Sequence, residues 1–253
     1  KGVKKVYSEE DLQESFATAV KLSRTSTAIV EEFNEGIELT CDVYVENGVA
    51  HLLSVSCSDK IADDTKFVIF RTRYPGEASD EIIAQIKETA QKIADAFHLK
   101  NSPMLIQMIS NGKNISVIEF SARTGGGVKY QLIKKVSGFD VISAVVDLTL
   151  GIKPTVKIRK PETKYLTNTF IYCKPGVFDR LNNFEELKKE NVITEYFQFK
   201  WSGAAFDSVE NSGDRVAGFT VQADTFAQLQ EKYVNAINKM QVLDENGNDM
   251  MRR

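Results

Sequence analysis

Apolar and polar residues alternate through "GIELTCDVYVENGVAHLLSVSCSD", with Ile37, Leu39, Cys41, Val43 and Val45 on one side. The alternation restarts at Val49 after Asn47-Gly48. A period of two marks a half-buried strand, and Asn-Gly between two such runs marks a tight hairpin. The same period predicts strands in "TAIVEEF" (27–33) and "KFVIF" (66–70). It also predicts a strand pair joined through Asn111-Gly112 in "PMLIQMISNGKNISVIEFS". Helical spacing appears after Ser8, through Leu12, Phe16, Ala19, Val20 and Leu22, with Ser8 and Asp11 placed as a short-acid capping box. It is clearest over 80–98, where Ile82, Ile83, Ile86, Ala90, Ile93 and Phe97 share a side. Two helices are expected at 128–137 and 139–150, separated by Gly138 and stopped by Gly151 and Pro154. The basic, proline-containing stretch 154–165 reads as a connector. Beyond it, "TNTFIYC", "ITEYFQF" and "RVAGFTVQA" read as strands, with helices near 183–190 and 225–240. The last ten residues are expected to fray. Hairpins with helices laid against them define an α+β fold. The connector predicts a boundary between 1–155 and 156–253.

Composition narrows the classes. The chain has 253 residues, 42% hydrophobic and 26% charged, enough to bury a core without staples. A net charge of −3 gives no basic field for nucleic acid or an anionic membrane. No apolar run reaches the roughly 18 residues of a membrane span. Cys41, Cys57 and Cys173 are odd in number and widely spaced, which argues against a disulfide framework or zinc site and for a reducing cytoplasm. The first residue is Lys1, so a fragment is expected.

The chemistry concentrates at "VIEFSART" (117–124) and the glycines behind it, Gly125, Gly126 and Gly127. Glu119 and Ser121 share a strand face. A strict two-residue Asn-Gly loop would put Gln107 on the wrong face. An odd loop, or one bulged residue in "SNGKN", would pair residue 107 with 117 and bring Gln107, Glu119 and Ser121 together. One carboxylate, one amide oxygen and one hydroxyl form a hard-oxygen set that suits Mg²⁺ shared with nucleotide phosphates. Arg123 beyond the strand offers a two-pronged grip on phosphate or carboxylate. The plain alternative is a solvated glutamate at a strand edge followed by a glycine turn.

"IVEEFNEGIE" (29–38), taken with "SARTGGG" (121–127), resembles the ATP-grasp superfamily in order and spacing. The branch it is most similar to contains amino-acid ligases, carbamoyl-phosphate synthetases and biotin carboxylases. The resemblance implies an adenine hinge at Glu31, Glu32, Phe33 and Asn34, and a ribose-binding acid at Glu38. It implies metal ligands at Gln107, Glu119 and Ser121. Gln107 stands where most members have an acid, although some carbamoyl-phosphate synthetases have Gln. Ser121 stands where Asn is usual, which bears on a second metal ion. Arg123 matches the arginine that holds the transferred phosphoryl group or the acid substrate. Lys60 stands where relatives have a Lys or His near the phosphates. The implied cofactors are ATP with Mg²⁺ or Mn²⁺, and the implied activity is ligation of a small-molecule carboxylate to an amine through an acyl phosphate. No nucleic-acid or membrane partner is expected, and a homodimer is. "KGVKKV" looks like the exit of the family's glycine-rich flap, so the chain is expected to begin inside the small lobe and not to turn over alone.

Two other readings remain. Gln107 leans towards a carbamoyl-phosphate-synthetase-like or purine-pathway enzyme. Ser121 in place of Asn fits a degenerate, non-catalytic nucleotide-binding module. Among the remaining residues, Arg71 and Arg73 either meet an anionic substrate or sit on the surface. Trp201 is expected in the core, and Asp214 with Arg215 as a local pair.

Overall fold

The computed structural model describes residues 3–61 and 67–253. The elements run α1 (Glu9–Leu22), β1 (Ile37–Glu46), β2 (Val49–Lys60), β3 (Ile69–Tyr74), α2 (Asp80–Ala96), β4 (Asn101–Ser110), β5 (Ile115–Ser121), α3 (Lys129–Ser137) and α4 (Val141–Thr149). They continue with β6 (Tyr165–Ile171), β7 (Gly176–Asn182), α5 (Phe184–Lys189), β8 (Glu195–Gln198), β9 (Ala205–Phe206), β10 (Ala217–Ala223), α6 (Phe226–Lys239) and β11 (Gln241–Asp244). The fold is α+β, as the pattern predicts.

The Asn47-Gly48 hairpin forms as expected, with Glu46 opposite Val49. Both turn residues have positive φ, 49° and 89°, the geometry that matches the twist of the flanking strands. β1 then pairs with β4 on its other side. The result is one antiparallel sheet in the order β5-β4-β1-β2-β3-β6-β10-β8. β6, β8 and β10 come from beyond residue 155, so the sheet runs through both halves of the chain.

The two faces of this sheet differ because its strands alternate. On one face Leu39, Cys41, Val43, Cys57, Met104, Ile106 and Met108 pack against Ile82, Ile86, Ala90 and Ala94 of α2. On the other face the buried positions are polar: Glu38, Thr40, Asp42, Ser54, Ser56, Thr72 and Asn168. α3 and α4 cover the end of that face through Tyr44, Leu53, Ile133, Phe139 and Val141. A second core, including Phe178, Phe184, Phe219, Leu229 and Val242, packs the C-terminal elements together.

Several expectations are corrected. Residues 27–33 form no strand; Ile29 is 85% exposed and Val30 58%. An apolar run becomes a strand only when it has a ladder partner, and this one has none among the described residues. The strand placed at 66–70 lies at β3, Ile69–Tyr74; Lys66 lies outside the described residues, as do Lys1 and Gly2. The last ten residues do not fray. Asp249 Oδ1 accepts from the Val242 and Met251 amides at 3.1 and 3.0 Å, and Met250 and Met251 are buried in the C-terminal core. Trp201 is 77% exposed rather than core, because its strand ends at Gln198 and the chain turns. β7, β9 and β11, short strands of a separate three-stranded sheet, were not expected.

Candidate functional site

The polar face carries the expected constellation, by a different register. The loop after β4 spans four residues, so Ser110 faces Ile115 and Met108 faces Val117. The extra residue lies inside β5: Ile118 is unmatched, and Gln107 stands opposite Glu119. The expected pairing of 107 with 117, through a bulge in "SNGKN", is therefore corrected. The bulge sits on an edge strand, where one extra residue interrupts a single ladder. Ser121 faces Leu105, two positions along the same face.

Glu38 anchors the next group. Its Oε2 pairs with Lys60 Nζ at 2.6 Å, and its Oε1 accepts from Gln107 Nε2 at 3.1 Å. The amide nitrogen of Gln107 is thus spent on Glu38. Among the described residues neither the Gln107 carbonyl oxygen nor the exposed Glu119 carboxylate accepts a hydrogen bond. One amide oxygen and one carboxylate in register are the donors a hard cation takes, with water and phosphate completing its shell. No group of three or more His, Cys, Asp or Glu side chains with metal-binding geometry occurs among the described residues. A cation held here would rest on this sparse set.

The residues expected to form a hinge lie beside this group. Asn34 binds the Glu32 carbonyl through Nδ2 at 3.3 Å and accepts from Ser116 of β5, also at 3.3 Å. Phe33 is half exposed, with Lys5 Nζ 3.7 Å from its ring centre and Phe67 6.5 Å away. Glu31 and Glu32 are exposed. Arg123 is exposed too, and its Nη1 donates to the Thr124 carbonyl at 2.9 Å. Arg71 and Arg73 do not face this site. Both bind Asp59, at 2.7 and 2.8 Å, and Arg73 also binds Glu77 at 2.8 Å. The hydrogen bond to Asp59 raises the Arg73 pKa further.

Two features of the face were invisible in the sequence pattern. Lys129, the first residue of α3, is buried, and its Nζ donates to Ser56 Oγ and lies 3.7 Å from Asp42 Oδ2. Ser54 donates to the same Asp42 oxygen at 2.6 Å, while Asp42 Oδ1 has no partner among the described residues. The residue before Lys129, Val128, has φ 57° and ψ 23°. A β-branched side chain in the left-handed region is strained and persists only where its surroundings hold it. Its neighbour Lys129 is itself anchored, by Ser56 and Asp42, directly behind the glycine turn.

The second feature is Arg215, which does not pair with Asp214. Asp214 instead accepts from the Glu210 and Asn211 amides at 2.8 and 2.9 Å. Arg215 Nε donates to Tyr172 Oη at 3.1 Å and Nη2 to the Ile69 carbonyl at 3.2 Å. Its guanidinium lies 3.7 Å from the centre of the Phe170 ring. Burial pushes the Tyr172 hydroxyl up, with Arg215 pulling the other way. It stays protonated near neutrality, donating to the Ile69 carbonyl at 2.9 Å while accepting from Arg215.

The sheet and its helices make a fold found in other solved proteins. An L-amino acid ligase from Bacillus licheniformis superposes with a TM-score of 0.81 at 19% identity, over 96% of this chain and 61% of that one. A phosphoribosylglycinamide synthetase from Anaerococcus prevotii gives 0.74 at 21% identity, over 94% and 61%. The biotin carboxylase domain of a Hydrogenobacter thermophilus 2-oxoglutarate carboxylase, solved with MgADP and bicarbonate, gives 0.73 at 13% identity, over 100% and 55%. In sequence, the mitochondrial ammonia-type carbamoyl-phosphate synthase of Aquarana catesbeiana is 26% identical over 152 residues, 58% of this chain and 10% of that protein. The chain therefore spans a tenth of that relative and under two thirds of these solved chains. The ATP-grasp domain family matches residues 1–131, and the chain belongs to that family.

Proposed function

We propose that this chain is the catalytic and C-terminal portion of an ATP-dependent carboxylate–amine ligase. The observation that carries the reading is the register placing Gln107 opposite Glu119, beside Glu38 and Lys60, on the one polar face of the sheet. The proposal divides the chain into a nucleotide-binding region, 1–155, and a C-terminal lobe, 156–253. Three buried, unpaired cysteines support a reducing cytoplasm. No helix among the described residues is long and apolar enough to cross a membrane. A homodimer is part of the proposal.

In this reading Glu32, Phe33 and Asn34 hold adenine, with Glu31 leading into the hinge, and Glu38 takes the ribose hydroxyls in exchange for its pair with Lys60. Lys60, released, turns towards phosphate. Gln107, Glu119 and Ser121 would hold Mg²⁺ or Mn²⁺, which when bound supplies positive charge against the phosphate oxygens. The substrate carboxylate attacks the γ-phosphorus in line, and ADP leaves. Arg123 swings from the Thr124 carbonyl to offset charge on the transferring group. An amine then attacks the acyl phosphate carbon, inorganic phosphate leaves, and the amine proton passes to solvent. The protein's work is positioning, charge neutralisation and exclusion of water.

Gln107 and the likeness to an ammonia-type carbamoyl-phosphate synthase favour one second reading, in which ammonia is the amine. The test is ADP release by the full-length protein, screened across amino acids, other small carboxylates, bicarbonate and ammonia. Release that needs an acid and amine pair supports the ligase and names its substrates. Bicarbonate with ammonia as the sole active pair supports the second reading. ATP binding with no stimulated release by any pair sinks both and leaves a non-catalytic module.

A further inference from the structure

Asp42 is buried in the polar face, 2% exposed, and only its Oδ2 is spent. Oδ2 accepts from Ser54 at 2.6 Å and lies 3.7 Å from Lys129 Nζ. Oδ1 is buried and has no hydrogen-bond partner among the described residues. A carboxylate oxygen taken out of water without a donor is unfavourable, so it calls for a donor that reaches it in some state of the protein. Oδ1 points at the glycine turn: a Cβ on Gly125 would stand 3.1 Å from it and 3.1 Å from Lys129 Cγ. Gly125 is not at positive φ, so the close approach, and not backbone conformation, is what a side chain there would disturb. The amides of Gly125 and Gly126 donate to no acceptor among the described residues. An unspent acceptor and unspent donors therefore lie against each other without bonding.

The far end of the turn is already packed. A Cβ on Gly127 would stand 2.8 Å from Phe170 Cζ and 3.3 Å from Arg215 Nη1. Gly127 and Val128 both hold left-handed backbone, at φ 64° and 57°, and for a β-branched residue that conformation is strained. A strained pivot beside an unmade hydrogen bond marks a segment with a second position.

We propose that Asp42 is a positioning residue that acts through the glycine turn. The turn moves between the open position of the structure and a closed one, in which the Gly125 amide donates to Asp42 Oδ1. Closure draws the turn onto the sheet and carries Arg123, two residues earlier, with it. Asp42 thereby sets where that guanidinium stands during the reaction. The role of Arg123 rests on the ligase reading; the movement does not.

The movement is read by amide-nitrogen relaxation dispersion on the 253-residue chain, which reports microsecond-to-millisecond exchange. Exchange should appear across residues 123–127 of the wild type. It should persist in Gly126→Ala, where an added Cβ meets nothing within 4 Å. It should be lost in Gly125→Ala, whose methyl stands between the turn and Asp42. The double variant Asp42→Leu with Lys129→Met removes the acceptor without leaving a lone buried charge, and should lose the exchange as well. Flat dispersion in the wild type, the result if an ordered water completes Oδ1, overturns the inference. Exchange that survives Gly125→Ala or the folded double variant overturns it too. In the full-length protein, kcat for ADP release should fall about ten- to hundred-fold in Gly125→Ala at unchanged KM for ATP, the cost of a misplaced reacting group. An unchanged kcat overturns the positioning role. Exchange at the turn with no ADP release by any acid and amine pair counts against the ligase reading and leaves the moving turn standing.

Discussion

Lys129→Met tests the buried pair beneath the glycine turn. The substitution keeps the length and apolar stem of the side chain and removes the charge together with the hydrogen bond to Ser56. Asp42 and Lys129 have side chains 3% and 7% exposed, so neither charge is well screened by solvent. Without Lys129, Asp42 keeps one hydrogen bond, from Ser54 at 2.6 Å, and its Oδ1 remains without a partner among the described residues. Breaking a buried pair on one side costs about 3–5 kcal/mol, because the other charge is left uncompensated. The 3.7 Å separation and the intervening Ser56 argue for the lower end, about 3 kcal/mol. At roughly 2–4 °C per kcal/mol for a chain of this size, Tm should fall by about 6–12 °C. Urea unfolding should show the same loss with an unchanged m-value. Asp42→Asn combined with Lys129→Met should recover at least about 1 kcal/mol relative to the sum of the single changes. A loss below about 1 kcal/mol, or strict additivity, would refute the idea that this pair holds the strained turn at Val128.

Other expectations follow from the same geometry. Glu119→Gln should abolish metal-dependent turnover in the intact protein; unchanged ADP release would remove Glu119 from the site. Ile86→Ala, at a fully buried contact between α2 and the sheet, should cost about 2–5 kcal/mol by chemical denaturation. Burial raises the thiol pKa of Cys41 and of Cys173 from 9.0 to about 12, so neither should react with a disulfide reagent at pH 8 until the chain is unfolded. For the same two thiols the folded state binds the proton more tightly than the unfolded state. Their stabilising contribution is whole below about pH 9 and declines as pH rises towards 12, so the unfolding midpoint should fall across that window. A midpoint that is flat or rising there would contradict the burial of these sulfurs.

Much of the architecture was written in local pattern. The Asn47-Gly48 hairpin, α2 and the strand pair β4–β5 follow from periods of two and 3.6 and from turn residues that tolerate positive φ. Gln107 and Glu119 were legible as candidates because they lie on strands where alternation assigns a face, whereas Glu38 entered through the family resemblance. The exact register was not, because a single unmatched residue at Ile118 shifts the pairing and the pattern is the same on either side of it. Residues 27–33 failed for a related reason. Their composition favours a strand, but a strand depends on a neighbour's backbone, and composition cannot supply one.

The amino-acid sequence by itself determined the α+β class, the order of the hairpins, and the hard-oxygen and arginine chemistry gathered around "VIEFSART". Only the tertiary structure decided that Asp42 meets Lys129 beneath the glycine turn and that Arg215 crosses from the second half of the chain to the same place. Local periodicity reports which way a side chain points along its own element. Which distant element it then meets is set by the order in which strands join the sheet, and here β3 pairing with β6 brings the two halves together.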